Sequence, residues 1–144
     1  MYPYKHIVVA IDLFDGVEAI IQKAAAIALE HQAKLSLIHV VEPIPGYGYA
    51  FVAPTELENV LLDQAKKEME RLGEKHQVPK AERAVLLGSV KHEILAYAEK
   101  HHADLLVVGS HGRHGLGVLL GTTAGAIIQG ATCDVLTVRI KARA

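Results

Sequence analysis

Short apolar runs alternate along the chain with longer segments of helical periodicity. The runs have few alternating polar positions, which is typical of strands buried on both faces of a parallel sheet. They are His6–Ile11, Leu35–Val41, Ala84–Leu87, Leu105–Val108 and Val135–Val138. The pattern therefore predicts five strands joined by four helices, in the order β-α-β-α-β-α-β-α-β.

Each of the four predicted helices carries an apolar stripe that would face the sheet. In chain order the stripes are Val17, Ile20, Ile21, Ala24 and Ala28; Leu57, Leu61, Ala65, Met69 and Leu72; Val90, Ile94, Leu95 and Ala98; and Ala124, Ile127, Ile128 and Ala131. Asp15–Glu18 and Thr55–Glu58 have the capping-box pattern, and Ser89 is expected to cap the third helix. The fourth helix is predicted to begin near Thr122 or Thr123.

Strands that alternate with helices, without an internal repeat, predict an α/β protein. The architecture we expect is an open, doubly wound, five-stranded parallel sheet with helices on both faces. A chain of 144 residues fits a single domain spanning residues 1–144. Ligands of such sheets bind outside the carboxyl ends of the strands, at the switch point. That rule points to Asp12, to Val40–Glu42 and to Gly109–Gly112.

Composition and charge exclude several classes of function. Fifteen Lys and Arg against sixteen Asp and Glu give a formal charge of -1, and no basic stripe suggests nucleic acid. The first residues do not resemble a signal peptide, and no apolar run is long enough to cross a bilayer. Cys133 is the only cysteine, so no intrachain disulfide can form and a reducing compartment is indicated. We therefore expect a cytoplasmic protein with no membrane partner.

The glycine-rich segment Gly109–Thr123 is the strongest candidate for a functional site. Its five glycines allow the backbone to turn sharply and to approach a ligand closely. Thr122 and Thr123 open the fourth predicted helix, where free N–H groups and the dipole attract phosphate, and Arg113 adds a positive charge. It is neither a Walker A loop nor a dinucleotide fingerprint. A long connecting loop with a threonine N-cap remains the alternative.

The nine histidines do not form a recognisable metal site. His101 and His102 are adjacent at a predicted helix end, where they would point in different directions. His111 and His114 flank the glycines and can touch phosphate, but no cysteine or carboxylate set completes a metal site. His39, within a buried strand, is predicted to be a core histidine with a satisfied hydrogen bond.

Catalytic residues are not expected. Ser110 and His111 are sequence neighbours without an orienting carboxylate, so they do not suggest a triad. Cys133 is interpreted as a small buried residue. The connection Glu42–Pro54, which carries Tyr47, Tyr49 and Phe51, is either a surface flap or a lid or partner contact.

Four segments of the chain resemble the universal stress protein family in order and spacing. They are His6–Asp12, Leu37–Val40, Ala103–Gly112 and Cys133–Arg139, so the resemblance spans essentially the whole chain. Nucleotide-binding members carry the motif Gly-x2-Gly-x9-Gly-[Ser/Thr]. Gly109, Gly112, Gly121 and Thr122 match its fixed positions, but eight residues, not nine, separate Gly112 from Gly121.

The resemblance implies a Rossmann-like sheet of the adenine nucleotide alpha hydrolase type that binds ATP, with Mg or Mn accompanying the nucleotide. It implies a homodimer through the last strand, Val135–Arg139, and a role as a sensor or regulator in a bacterial-type stress response. The implied nucleotide-binding residues are Ala10, Asp12, Val40, Gly109, His111, Gly112, Arg113, Gly121, Thr122 and Thr123.

Two alternatives remain open at the level of sequence. The shorter spacing favours a dimeric scaffold that binds no nucleotide and meets a protein partner through Tyr47–Phe51. A slow ATP hydrolase that depends on Asp12 is the other. A fast enzyme is not expected, because no general base is placed to activate water on a γ-phosphate.

Overall fold

The computed structural model describes residues 3–13, 16–43, 56–109 and 123–139. Within these ranges five strands and four α-helices follow one another in the predicted order. They are β1 (His6–Ala10), α1 (Val17–His31), β2 (Lys34–Val41), α2 (Glu56–Lys75), β3 (Arg83–Leu87), α3 (Val90–Lys100), β4 (Leu105–Gly109), α4 (Thr123–Gly130) and β5 (Asp134–Val138). A single 3-10 turn, Lys80–Glu82, leads into β3.

All five strands lie in one parallel sheet in the order β3-β2-β1-β4-β5. The prediction of an open, five-stranded parallel sheet is therefore confirmed. The chain moves outward from β1 through β2 to β3, then returns to the other side of β1 with β4 and β5. The direction of winding changes between β1 and β4, which makes their carboxyl ends the switch point.

The helices cover the two faces of the sheet in pairs. On one face, α1 and α2 pack over alternate strand residues such as Ile7, Val9 and Leu37. On the other face, Ile94 of α3 and Ile127 of α4 pack over Val8, Ile38 and Leu106. Because both faces are covered, the strands need no polar alternation, which explains the continuous apolar runs in the sequence. None of the helices in the described ranges has the length and apolar character that crossing a bilayer requires.

Helix α1 follows its predicted stripe but not its predicted cap. Val17, Ile20, Ile21, Ala24 and Ala28 are all buried. Gly16, with φ of 97°, occupies the N-cap position and has no side chain with which to cap the helix. The capping box expected over Asp15–Glu18 is therefore wrong at this position. Asp15 lies outside the described residues, and the Glu18 carboxylate instead accepts from Lys75 Nζ at 2.6 Å.

The buried face of α2 differs from the prediction in its first turn. Ala65, Met69 and Leu72 are buried as expected, but Leu57 is 56% exposed while Glu58 is 2% exposed. At about 100° per residue, Leu57 lies about 80° from Ala65, whereas Glu58, seven residues before Ala65, lies within about 20° of it. A stripe drawn in steps of four residues therefore rotates by about 40° at each step and leaves the buried face of the helix. Thr55, the proposed cap, lies outside the described residues.

Helices α3 and α4 match the predictions in position and differ in detail. Ser89 is the N-cap residue of α3, although its side chain makes no capping hydrogen bond. Ile94 and Ala98 are buried, with Val90 and Leu95 partly buried. Helix α4 begins at Thr123 and buries Ala124 and Ile127. Ile128 was expected inside, but it is among the exposed apolar side chains, because α4 packs along a single stripe.

Replacing a central core leucine should destabilise the protein far more than replacing an exposed one. Leu106 of β4 is fully buried beneath α3 and α4, and Leu29 of α1 is 82% exposed. We expect Leu106→Ala to lower the free energy of unfolding by about 2–5 kcal/mol, because it leaves a cavity. Leu29→Ala should change it by less than about 0.5 kcal/mol. Urea denaturation of both variants measures this, and equal losses would contradict the assigned sheet faces.

Candidate functional site

The carboxyl edge of the sheet brings together three of the residues predicted to form the site. Parallel pairing aligns Val9 with Val107 and Ala10 with Ile38. Continued by two residues, this register sets Ile11 beside Gly109 and Asp12 beside Val40. Asp12, Val40 and Gly109 therefore lie at or just beyond the carboxyl ends of three adjacent strands, at the switch point where α/β sheets bind ligands.

Two hydrogen bonds fix the backbone that leads into Asp12. The Ile11 N–H donates to the Ile38 carbonyl at 2.8 Å. The Ile11 carbonyl accepts from His39 Nδ1 at 2.7 Å, and a carbonyl can only accept, so Nδ1 carries the proton. The His39 ring is buried. The prediction of a satisfied core histidine is confirmed, and the contact extends the hold of β2 on β1 beyond the last regular strand residue.

Asp12 itself is partly exposed, directly after the buried Ile11. A carboxylate at this position keeps access to water and to a ligand, whereas the side chain of Ile11 does not. Its backbone is held by β2, so the side chain projects from a fixed point. Asp12 can accept hydrogen bonds from hydroxyl groups or contact a cation.

Val40 and Ala10 contribute to the other side of this edge. Val40 is buried and belongs to the apolar cluster under α3 and α4, and Ala10 packs partly buried against the same cluster. Val40 pairs with Leu86, and the following strand residue, Val41, accepts from the Gly88 N–H at 3.0 Å. The two residues thus offer apolar surface and strand backbone beside Asp12, without titratable groups.

The glycine-rich segment is described only at its two ends. Gly109 is the last residue of β4, where it pairs with Val138, and the backbone of Thr123 begins α4. Because α4 returns over the sheet to β5, its first turn lies at the same carboxyl edge. Five predicted site residues fall outside the described residues: His111, Gly112, Arg113, Gly121 and Thr122.

The described residues contain neither a group of metal-binding side chains nor an activated thiol. Across residues 3–13, 16–43, 56–109 and 123–139, no three or more His, Cys, Asp or Glu side chains are grouped to hold a metal ion. Cys133 is partly buried, and burial raises the pKa of its thiol, as does the nearby charge of Asp134. A thiol of this kind is a poor nucleophile.

An open groove of about 360 Å³ lies away from this edge. It runs between α2 and the edge strand β3, and it is lined by Lys66, Met69, Glu70, Lys80, Arg83, Ala84 and Val85. None of the predicted site residues takes part in it. We place the candidate site at the carboxyl edge because strand ends, an anchored carboxylate and a helix start converge there, whereas the groove is a shallow surface feature.

Sequence reasoning missed two sets of polar contacts in the sheet. It did not foresee that His39 would bond to the residue before Asp12. It also gave no role to His6, Ser36 and Glu82, which form a buried chain at the amino edge. A polar residue inside an otherwise apolar strand, as in both cases, was the available signal, but the partners depend on strand register.

Comparison with known proteins gives a consistent result. The model of the "Universal stress protein family" matches residues 3–139. "Universal stress protein A homolog 1" of Coxiella burnetii is 43% identical over 141 residues, which cover 96% of this chain and 98% of that protein. The similarity therefore extends over nearly all of the given sequence and of the relative.

Solved structures agree with the sequence relatives. The universal stress protein UspA from Lactobacillus plantarum superimposes with a TM-score of 0.78 at 29% identity, covering 96% of this chain and all of that one. A universal stress protein crystallised in complex with cAMP gives 0.62 at 25% identity, covering 95% and 98%. On the family model, the sequence relatives and the shared sheet, this chain belongs to the universal stress protein family.

Proposed function

We propose that this protein binds an adenine nucleotide, with ATP as the favoured ligand, and acts as a sensor or regulator in a stress response. The observation that carries the proposal is the convergence of Asp12, Val40 and Gly109 at the carboxyl edge of three adjacent strands. The nucleoside would lie over Ala10 and Val40, with Asp12 beside the ribose. The phosphates would lie toward the segment between Gly109 and Thr123.

Three further points support the proposal. The edge is the switch point of a doubly wound sheet, the general ligand position of this architecture. The start of α4 at Thr123 directs free N–H groups to the same edge. A structural relative that shares 25% of its sequence with this chain was crystallised in complex with cAMP, which contains the same adenosine unit.

A divalent cation would accompany the nucleotide and would not form a protein-only site. At the described carboxyl edge Asp12 follows the central strand β1, and a carboxylate together with phosphates and water suits Mg or Mn. The protein would then contribute one ligand, directly or through water, and the cation would neutralise phosphate charge.

We also propose that the protein is cytoplasmic and forms a homodimer through β5. The compartment follows from the single cysteine, since a chain that cannot form an internal disulfide suits reducing conditions. The dimer is supported by the position of β5 at the end of the sheet, where no strand of the described residues pairs with its outer side.

A second candidate is a scaffold that binds a protein instead of a nucleotide. Leu57 and Val60 are both exposed and lie one turn apart at the start of α2, directly after the aromatic connection 42–54. Such a pair on one helix face suits an apolar partner. The eight-residue spacing between Gly112 and Gly121 favours the same reading.

Removing the phosphate-binding elements should abolish tight nucleotide binding. We expect Gly121→Val and Thr122→Val each to weaken ATP binding at least about tenfold, the effect of losing roughly 1.4 kcal/mol of phosphate contacts. Isothermal titration with ATP, ADP and cAMP measures the affinities, and Leu29→Ala is the control. If the intact protein binds none of the three, the proposal fails, and Leu57→Ser and Val60→Ser become the variants that test the scaffold.

Nucleotide hydrolysis should be slow or absent. His39 is buried with Nδ1 committed to a carbonyl, so the described edge supplies no free imidazole as a base. We expect ATP turnover far below about 1 s⁻¹, the lower range of ordinary enzymes. An ATPase assay of the intact protein and of Asp12→Ala decides, and faster turnover that disappears in Asp12→Ala would indicate a hydrolase instead.

The proposed dimer predicts sedimentation at twice the mass of one chain. Two antiparallel copies of β5 would bring Thr137 close to its counterpart. Thr137→Lys introduces like charges there, and we expect about tenfold weaker association, greatest at low salt. Sedimentation equilibrium measures this. A monomer at high protein concentration would contradict pairing through β5.

A further inference from the structure

A chain of buried polar groups joins three elements at the amino edge of the sheet, opposite the candidate nucleotide site. His6 begins β1, Ser36 lies in β2 and Glu82 ends the 3-10 turn before β3. His6 Nε2 lies 2.7 Å from Ser36 Oγ, and Ser36 Oγ lies 2.6 Å from Glu82 Oε2. His6 and Ser36 are both buried. Water therefore has little access to these two side chains and cannot readily complete their hydrogen bonds.

The contacts among His6, Ser36 and Glu82 need one proton more than a neutral histidine and an ionised glutamate supply. His6 Nδ1 lies 2.9 Å from the His101 carbonyl, which can only accept, so Nδ1 must carry a proton. Ser36 has a single hydroxyl proton, which can fill its contact with His6 or its contact with Glu82 but not both. The other contact needs a proton from the imidazole Nε2 or from the carboxyl group. If the imidazole were neutral and the carboxylate ionised, one of the two contacts of Ser36 Oγ would bring two acceptor atoms together with no proton between them.

The surroundings favour the imidazole as the site of the additional proton. Glu82 is 20% exposed and lies 3.7 Å from Lys34 Nζ, which stabilises the ionised carboxylate. An imidazole is ordinarily the stronger base of the two groups by about two pH units. With both ring nitrogens protonated, His6 donates to the His101 carbonyl and to Ser36, and Ser36 donates to Glu82. His6 Nε2 and Glu82 Oε2 are 3.9 Å apart, so the charges also attract directly.

The other charged and titratable groups around His6 are compatible with this assignment. The Asp104 carboxylate accepts from the backbone N–H of His6 at 2.9 Å. On α3, burial raises the pKa of Tyr97, while its hydrogen bond with Ser36 acts in the opposite direction. The pKa of His101 is lowered by burial and then by the charges of Lys100 and His6.

We propose that the His6–Ser36–Glu82 chain is an internal proton-binding site that holds one proton more than a neutral histidine and an ionised glutamate would. The bound proton closes the hydrogen bonds that link β1, β2 and the turn before β3. Its release at alkaline pH leaves an unsatisfied buried contact and weakens the amino edge of the sheet.

The sign of the pH dependence follows from where the proton is bound. An ordinary free histidine releases its proton near pH 6.5, whereas the proposed site would hold one above that pH in the folded protein. The folded state then binds more protons, so stability falls as pH rises above about 6.5. For one proton, the equilibrium constant of unfolding rises by up to about tenfold for each pH unit in this window.

Histidine NMR tests the bound proton directly. In protein labelled with ¹⁵N at histidine, we expect both ring nitrogens of His6 to be protonated at pH 7.5. A free histidine would be only about one-tenth protonated at that pH. The exposed His92 on α3 is the reference within the same chain. A neutral His6 ring at pH 7.5 would overturn the proposal.

Glu82→Gln tests the same proton by removing the need for it. The glutamine amide can donate to Ser36, and Ser36 can donate to a neutral His6, so every contact is filled without the additional proton. We expect Glu82→Gln to fold, to show a neutral His6 at pH 7.5, and to lose the decrease in urea midpoint between pH 6.5 and 8.

Glu74→Gln is the matched control for this variant. Glu74 is exposed and contacts Arg83 Nη2 at 3.3 Å, so the substitution changes the charge equally but leaves the proton chain intact. We expect Glu74→Gln to retain the pH dependence of the unaltered protein. Equal pH profiles for all three proteins would overturn the proposal, and the NMR measurement decides independently if Glu82→Gln does not fold.

Discussion

The pairing of β1 on both of its edges is the constraint on which the rest of the structure depends. Strand β1 pairs with β2 in one register and with β4 in another, and these two registers decide which residues meet at each end of the sheet. A slip of one residue would turn Val8 and Val9 to the opposite faces and would bury the wrong side chains under the helices. It would also separate Asp12 from Val40 and His6 from Ser36. The fold and both polar edges are thus set by the same hydrogen-bond ladders.

The two edges of the sheet treat polar groups in opposite ways. At the amino edge His6, Ser36 and Glu82 satisfy one another, with the additional contact to the His101 carbonyl, so these groups are closed to a ligand. At the carboxyl edge a backbone anchor leads to the partly exposed Asp12, whose carboxylate remains accessible. Such a division suits a fold in which one end of the sheet is structural and the other receives a ligand.

The sequence predicted the strands and the buried helix faces well where the apolar residues formed a continuous run or a complete stripe. Five apolar runs became five strands, and the stripe of α1 was buried in full. The errors arose where one helical turn decided the result. Leu57 was assigned to the core although Glu58, in step with Ala65, occupies that face. Small angular drift accumulates over a long helix, and a pattern of apolar letters alone does not correct it.

Of the candidate site, the part that can be compared with the prediction is the set of residues at the strand ends. The switch-point rule placed Asp12, Val40 and Gly109 together from sequence alone, because strand ends meet at one edge whatever the side chains are. The hydrogen-bond partners of the buried polar residues could not be predicted. His39 and Ile11 are 28 residues apart in the sequence, and Ser36 and Glu82 are 46 residues apart. Contacts at such separations depend on register, which local patterns do not specify.

The chemistry at the carboxyl edge favours binding over turnover. Hydrolysis of a phosphate bond needs a group that positions or deprotonates water, in addition to groups that hold the phosphates. His39, the imidazole closest in sequence to the described edge, is buried and donates Nδ1–H to the Ile11 carbonyl, so it serves to anchor the backbone. Asp12 is then the remaining titratable group directly after β1, and beside a nucleotide it would be occupied by ribose hydroxyls or a cation. In the proposed site a carboxylate committed to recognition would leave the nucleotide intact, which the proposed sensor role requires.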